Sequence, residues 1–219
     1  MGGGYLLYGD IGSGAVAVEA AMVIAGQPYA RVEAPTSEPD DRAGGDRVLA
    51  VNPLRQVPAL VLPDGDLMTE SAAILIRLGE LFPDSGLAPA PDDPRRPAFL
   101  RWMSFVSAAI YSLYWVKDDP ARLVPDPAAQ PALVARALER ISECWGIMAR
   151  QVSPGRYILG DELTALDLYV TVVSRFQPRR RRFYEAAPGL EAVVKRVDAD
   201  PRLASLWAER YPFFEGWEG

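Results

Sequence analysis

The amino-acid sequence predicts two units in tandem: an α/β unit over residues 1–81 and an all-helical unit over 98–219, joined by a linker at 82–97. Three observations carry this reading. The first 80 residues alternate between short apolar runs and helical spacing, whereas everything from about Ala98 onward reads helical. Five of the chain's 20 prolines fall between Phe82 and Pro97, where no periodicity survives. Charge is uneven too, with 5 basic and 11 acidic residues in 1–80 against 18 of each in the remainder.

The elements follow in order. Tyr5-Leu6-Leu7-Tyr8, ended by Gly9-Asp10, is a short buried strand. Ala15 to Ala25 has no breaker and stops at Gly26, so it is a helix. Pro28 to Glu33 forms a second strand, and a Pro-, Asp- and Gly-rich irregular stretch runs from Ala34 to Asp46. Ala59 to Leu62 is a strand, Pro63 to Asp66 a turn, and Leu67-Met68 the return strand. Thr69-Glu70-Ser71 opens a helix through Leu81, with Ala72, Leu75, Ile76 and Leu78 on its apolar side. With a further helix before the third strand, that order is a small thioredoxin-like unit. The second unit is expected to hold helices at Ala98–Val116, Ala132–Val152, Leu163–Phe176 and Leu190–Asp198.

Composition narrows the chemistry. The 219 residues include no histidine and one cysteine, and carry a formal charge of -6. A Ser-His-Asp or Cys-His relay needs an imidazole, and Cys144 alone builds neither a disulfide nor a thiolate metal site. Cys144 lies mid-helix among Ile141, Trp145 and Met148, as a buried apolar thiol would. The basic run Arg179–Arg182 reads as a solvated helix start or an ion-pairing corner rather than a nucleic-acid patch. No window has about 18 uninterrupted apolar residues, and the start lacks a basic signal-peptide region, so no membrane is expected and a cytoplasmic setting is. Leu6 stands where a myristoylation signal needs Ser or Thr.

Two stretches then carry a resemblance. Asn52-Pro53-Leu54-Arg55-Gln56-Val57-Pro58-Ala59-Leu60-Val61, followed by Thr69-Glu70-Ser71-Ala72-Ala73-Ile74-Leu75, resembles the glutathione-site signature of the glutathione S-transferase superfamily. Gly160 to Asp167 resembles the start of that family's second-domain helix, and Thr164 with Asp167 has capping-box spacing. The resemblance implies a cis peptide at Val57-Pro58, leaving the Val57 N–H and C=O to pair with an extended tripeptide as a strand would. It implies that Ser71 binds the α-carboxylate of glutathione and Glu70 its ammonium. Gln56 would bond the ligand backbone, and Arg55 would lie near the glycyl carboxylate. The plainer reading of Thr69 to Ser71 is a helix N-cap with an acidic first turn.

Glutathione brings its own thiol, so the protein needs only to favour the thiolate, which is a few per cent of the thiol at neutral pH. A hydroxyl hydrogen-bonded to sulfur does that. In the loop Tyr8-Gly9-Asp10-Ile11-Gly12-Ser13-Gly14-Ala15, Ser13 stands where serine-using, theta-like members carry their donor. Cysteine-using relatives have their thiol at or near the place of Gly14, where this chain has none. Tyr5 and Tyr8 are alternative donors, and Ser13 is otherwise a plain helix cap. Ile11, Met103, Ser107, Tyr111 and Trp115, with Phe213 or Phe214, would line the electrophile pocket; the four from Met103 to Trp115 recur every fourth residue. The expectation is a glutathione transferase: a homodimer with glutathione as co-substrate, no metal, and no nucleic-acid or membrane partner. The alternatives are a glutathione-dependent isomerase, peroxidase or dehalogenase on the same site, or a non-catalytic scaffold.

Overall fold

The structure, a computed structural model, describes residues 3–35 and 42–219. Strand β1 (Tyr5–Gly9) leads into α1 (Ala15–Ile24), then β2 (Tyr29–Glu33), α2 (Arg42–Leu49), β3 (Ala59–Val61), β4 (Leu67–Thr69) and α3 (Ser71–Leu81). The sheet order is β2-β1-β3-β4, with β1 parallel to β2 and the other two pairs antiparallel. Its register aligns Tyr8 with Ala59 and Ala59 with Thr69. The chain therefore leaves β1, enters β3 and leaves β4 at one end of the sheet. That shared end decides where a site can form.

The helical domain runs through α4 (Arg96–Phe105), a π-helical segment (Val106–Tyr111) and α5 (Ser112–Asp118). It continues with α6 (Gln130–Gln151), α7 (Ala165–Val173), α8 (Arg180–Ala186), α9 (Pro188–Asp198) and α10 (Ala204–Arg210). The core spans both domains, from Leu7 and Leu60 in the sheet through Leu75 and Leu78 of α3 to Phe99, Trp145, Tyr169 and Trp207. Among the described residues no helix is long and apolar enough to cross a membrane.

Several expectations need correction. The stretch from Ala34 to Asp46 is not wholly irregular: residues 36–41 lie outside the described set, and α2 already begins at Arg42 despite Gly44 and Gly45. The helix expected over Ala98–Val116 is broken by the π turn into α4 and α5. The expected linker is anchored at Leu87, which is buried and whose carbonyl accepts from the Ala165 N–H at 2.7 Å. Of the two readings of the Arg179–Arg182 run, the ion-pairing corner holds for Arg180, while Arg181 is exposed. Arg180 is fully buried, with Nη1 2.6 Å from Asp198 and Nε donating to Ser174 Oγ at 2.8 Å.

Two buried carboxylates hold the frame. Glu19 of α1 has no exposed surface and receives Arg210 Nε at 2.9 Å, Arg31 Nη1 at 3.0 Å and the Tyr29 hydroxyl at 3.0 Å. This cluster ties α10 to α1 and β2. Glu19→Ala should cost about 3–5 kcal/mol in urea unfolding, because it removes the fully buried partner of the buried Arg210, which keeps only the half-exposed Glu33; Glu209→Ala, which removes an exposed partner of Arg31, should cost about 0–1 kcal/mol.

Asp167 is the second. It closes a capping box at the start of α7, accepting from Thr164 N and Ile158 N at 2.8 Å each and from Thr164 Oγ1 at 2.9 Å. Burial pushes its carboxyl from the ordinary 3.8 up to about 6, against the pull of those donors. The native state thus holds this proton more tightly than the unfolded chain does. Its contribution to stability is full below about pH 4 and is lost as pH rises through about 6. Asp167→Asn should flatten that slope in denaturation measured between those pH values. At neutral pH it should cost about 1–3 kcal/mol for the N–H left unmet.

Candidate functional site

Three loops converge at the sheet end defined by Tyr8, Ala59 and Thr69. The first follows β1 and holds Ile11 to Gly14. Ser13 Oγ donates to the Asp10 carbonyl at 2.8 Å and accepts the Ala15 N–H at 3.2 Å, so it ties the loop and covers one amide at the start of α1. Ser13 remains partly exposed, and Ile11 projects with 60% of its surface open.

The second loop precedes β3. Val57-Pro58 is cis. Among the described residues, neither the N–H nor the C=O of Val57 takes part in a hydrogen bond outside the sheet ladder. Asn52 shapes this loop: buried, it donates from Nδ2 to the Gln56 carbonyl at 2.8 Å and accepts the Leu54 N–H at 3.1 Å. The motif contains Asn52, but nothing in its spacing revealed this organising role. Arg55 has φ 55° and turns its guanidinium onto Asp46 of α2 at 2.9 Å. Both groups are exposed, so the pair is weak and its cation stays available.

The third loop joins β4 to α3. Glu70 is exposed and sits at φ 66°, a left-handed conformation that costs a non-glycine residue about 1–3 kcal/mol and that clusters at ligand sites. Ser71 opens α3, where the first-turn N–H groups have no intrahelical acceptor. Its hydroxyl is buried and lies 2.8 Å from the Tyr169 hydroxyl of α7.

The helical domain meets the first and third of these loops through tyrosines. Tyr111 Oη accepts the Gly14 N–H at 3.1 Å, Tyr169 pairs with Ser71, and the Tyr211 hydroxyl donates to the Gly12 carbonyl. Burial pushes the Tyr169 phenol up to about 12, against the hydrogen bonds of Ser71 and Ser107, and raises Tyr111 and Tyr211 further. All three stay neutral donors or acceptors at ordinary pH. The sequence offered no signal for these contacts, because 97 to 199 residues separate the partners.

Of the residues expected in the pocket, Ile11, Ser107 and Tyr111 lie at this rim. Met103 does not: it has no exposed surface and belongs to the core. It lies on the face of α4 that carries Phe99 and Trp102 into the core. The half-exposed Trp115 ring is covered by the Arg122 guanidinium at 4.7 Å. Phe213 and Phe214 are exposed on the C-terminal segment, facing Arg175 at 4.6 Å and Arg179 at 4.9 Å respectively. Tyr5 packs edge-on against Phe82. Cys144 is fully buried, and burial raises its thiol.

A four-stranded mixed sheet with flanking helices, followed by a helical domain, is the glutathione S-transferase architecture. The family model for the glutathione S-transferase N-terminal domain matches residues 17–81, and that for the C-terminal domain matches 128–210. The chain is 30% identical over 202 residues to the uncharacterized GST-like protein YncG of Escherichia coli K12, covering 91% of this chain and 95% of the relative. It is 26% identical to glutathione S-transferase GstA of Escherichia coli O157:H7, covering 73% and 76% of the two. A crystal structure of a glutathione transferase homolog from Sulfitobacter, with bound glutathione, superposes with a TM-score of 0.80 at 25% identity, covering 92% of this chain and 96% of that one. The chain belongs to the glutathione S-transferase family.

Gly14 tests the contact between the two domains. A Cβ there would stand 2.5 Å from Tyr111 Oη, so Gly14→Ala must displace a packed ring. It should lower stability by about 1–3 kcal/mol in chemical denaturation. Gly189→Ala, whose Cβ would meet open space, should be neutral or slightly stabilising in the same assay.

Proposed function

We propose that the chain binds glutathione along the Val57 loop and activates its thiol for attack on a small electrophile. The observation that carries this reading is the register that sets Ser13, Val57 and Ser71 around one sheet end. An extended tripeptide pairing with the Val57 backbone would run between the α1 and α3 N-termini. Its carboxylate at Ser71 would meet first-turn N–H groups and the helix dipole, both of which favour an anion. With Tyr169 as donor in their pair, the Ser71 hydroxyl keeps its own proton for that carboxylate. Glu70, exposed and held in its strained turn, would take the ammonium. Gln56 would hydrogen-bond the peptide backbone, and Arg55 would swing from Asp46 towards the glycyl carboxylate.

Ser13 is the donor to sulfur in this reading. Its proton points to the Asp10 carbonyl in the free protein, and a hydroxyl rotation redirects it. Ile11, Ser107, Tyr111 and Trp115 would border the electrophile. The working form would be a cytoplasmic homodimer, consistent with the family, and light scattering would report it.

Calorimetric titration with glutathione tests the site. Saturable binding is expected, weakened about tenfold or more by Ser71→Ala, which corresponds to about 1.4 kcal/mol. The parent should also conjugate glutathione to a chlorodinitrobenzene. No saturable binding at millimolar glutathione would overturn the reading.

A further inference from the structure

The Ser13 loop carries a second hydroxyl that its own sequence does not supply. Tyr111 reaches it from the helical domain, and its oxygen stands 2.5 Å from where a side chain at Gly14 would begin. The phenol thus fills the space that any residue other than glycine at 14 would occupy, one position beyond Ser13.

The two amides at the start of α1 are both taken by hydroxyl oxygens: Ala15 N–H by Ser13 at 3.2 Å and Gly14 N–H by Tyr111 at 3.1 Å. The protons of those hydroxyls differ. Ser13 spends its proton on the Asp10 carbonyl at 2.8 Å, whereas the Tyr111 proton has no acceptor among the described residues. A phenol is also the more acidic donor, and so makes the stronger bond to an anion. Accepting from a backbone N–H polarises it further in the same direction.

The ring is fixed for this task. Its centroid lies 5.1 Å from that of Phe176 and 6.3 Å from that of Tyr169, and it ends the π-helical segment, a departure from α geometry that recurs at functional sites. The ring is partly exposed, while its hydroxyl packs against Gly14 and burial raises the phenol, which keeps it a neutral donor. The titratable groups that bear on it are Tyr169 of α7, Tyr211 beyond α10, Glu70 ahead of α3 and Asp118 of α5.

We propose that Tyr111 is a catalytic hydroxyl of this transferase, donating a hydrogen bond to the glutathione sulfur anion from the helical side while Ser13 donates from the loop side. The assignment rests on the glutathione reading above. In this step only the S–H bond breaks: its proton leaves to solvent, and Tyr111 keeps its own.

Thiolate absorbance of the glutathione complex, titrated against pH, tests the assignment in the parent, Tyr111→Phe and Ser13→Ala. Phenylalanine keeps the packed ring and removes only the oxygen. Tyr111→Phe should raise the apparent pKa of the bound thiol by about one unit, cutting the thiolate present well below that pKa about tenfold. The pH profile of kcat/KM should move with it; melting temperature should fall only by the loss of the acceptor for the Gly14 N–H, and glutathione affinity should fall only at pH values where the bound thiol is ionised. Site-specific fluorotyrosine at 111, a more acidic phenol on the same ring, should move the thiol pKa the other way.

A Tyr111→Phe titration curve that overlays the parent's, with the shift lost only in Ser13→Ala, would overturn this proposal and leave the Ser13 reading standing. Lower melting temperature and affinity without any thiol shift would also overturn it, marking Tyr111 as structural. A parent that binds no glutathione would remove the site reading and this proposal together.

Discussion

The structure depends on one constraint: hydroxyl groups from the helical domain must seat on backbone and side-chain positions of the sheet domain. Tyr111 meets Gly14, Tyr169 meets Ser71, and Tyr211 meets Gly12. Each contact falls on a loop or helix start at the one sheet end that the Tyr8–Ala59–Thr69 alignment defines. An unmade hydrogen bond in such a place costs more than a formed one gains, so the seating is strongly specified. The charged cluster around Glu19 and Arg210 adds a fourth tie, buried behind the loops rather than at the rim. Together they make the cleft a product of both domains.

That arrangement fits a chain without histidine. With no imidazole to move protons, the proposed reaction would rely on a thiol delivered by the co-substrate and on fixed dipoles around it. Neutral hydroxyls and helix N-termini favour an anion without titrating themselves in the working range, and burial keeps the three tyrosines protonated. Among the described residues positive φ outside glycine falls at Arg55 and Glu70 in the site loops and at Arg179 before α8; at Glu70 it presents an exposed carboxylate.

Local chemistry made part of this legible in the sequence. The apolar run at Tyr5 to Tyr8, the breaker-free stretch after Ala15 and the Thr69-Glu70-Ser71 helix start each appear close to their expected bounds, because turn residues and periodicity act within a few positions. The family resemblance came from the same short range. What stayed hidden was non-local. Glu19 looked like one more residue of an alanine-rich helix until Arg210 arrived from the far end of the chain. Met103 and Tyr111 belong to one every-fourth-residue series, yet Met103 is enclosed in the core and Tyr111 meets Gly14. Helix α2 forms through two glycines that propensity opposes, and the sequence left open whether the run that holds the buried Arg180 was solvated or ion-paired.

The central claim is that a thiolate would rest between hydroxyls contributed by both domains. A crystal structure of the glutathione complex measures this directly. The account predicts the tripeptide extended along Val57, with its sulfur within about 3.5 Å of both Ser13 Oγ and Tyr111 Oη. A sulfur beyond reach of either oxygen, or a tripeptide bound away from the Val57 loop, would contradict it.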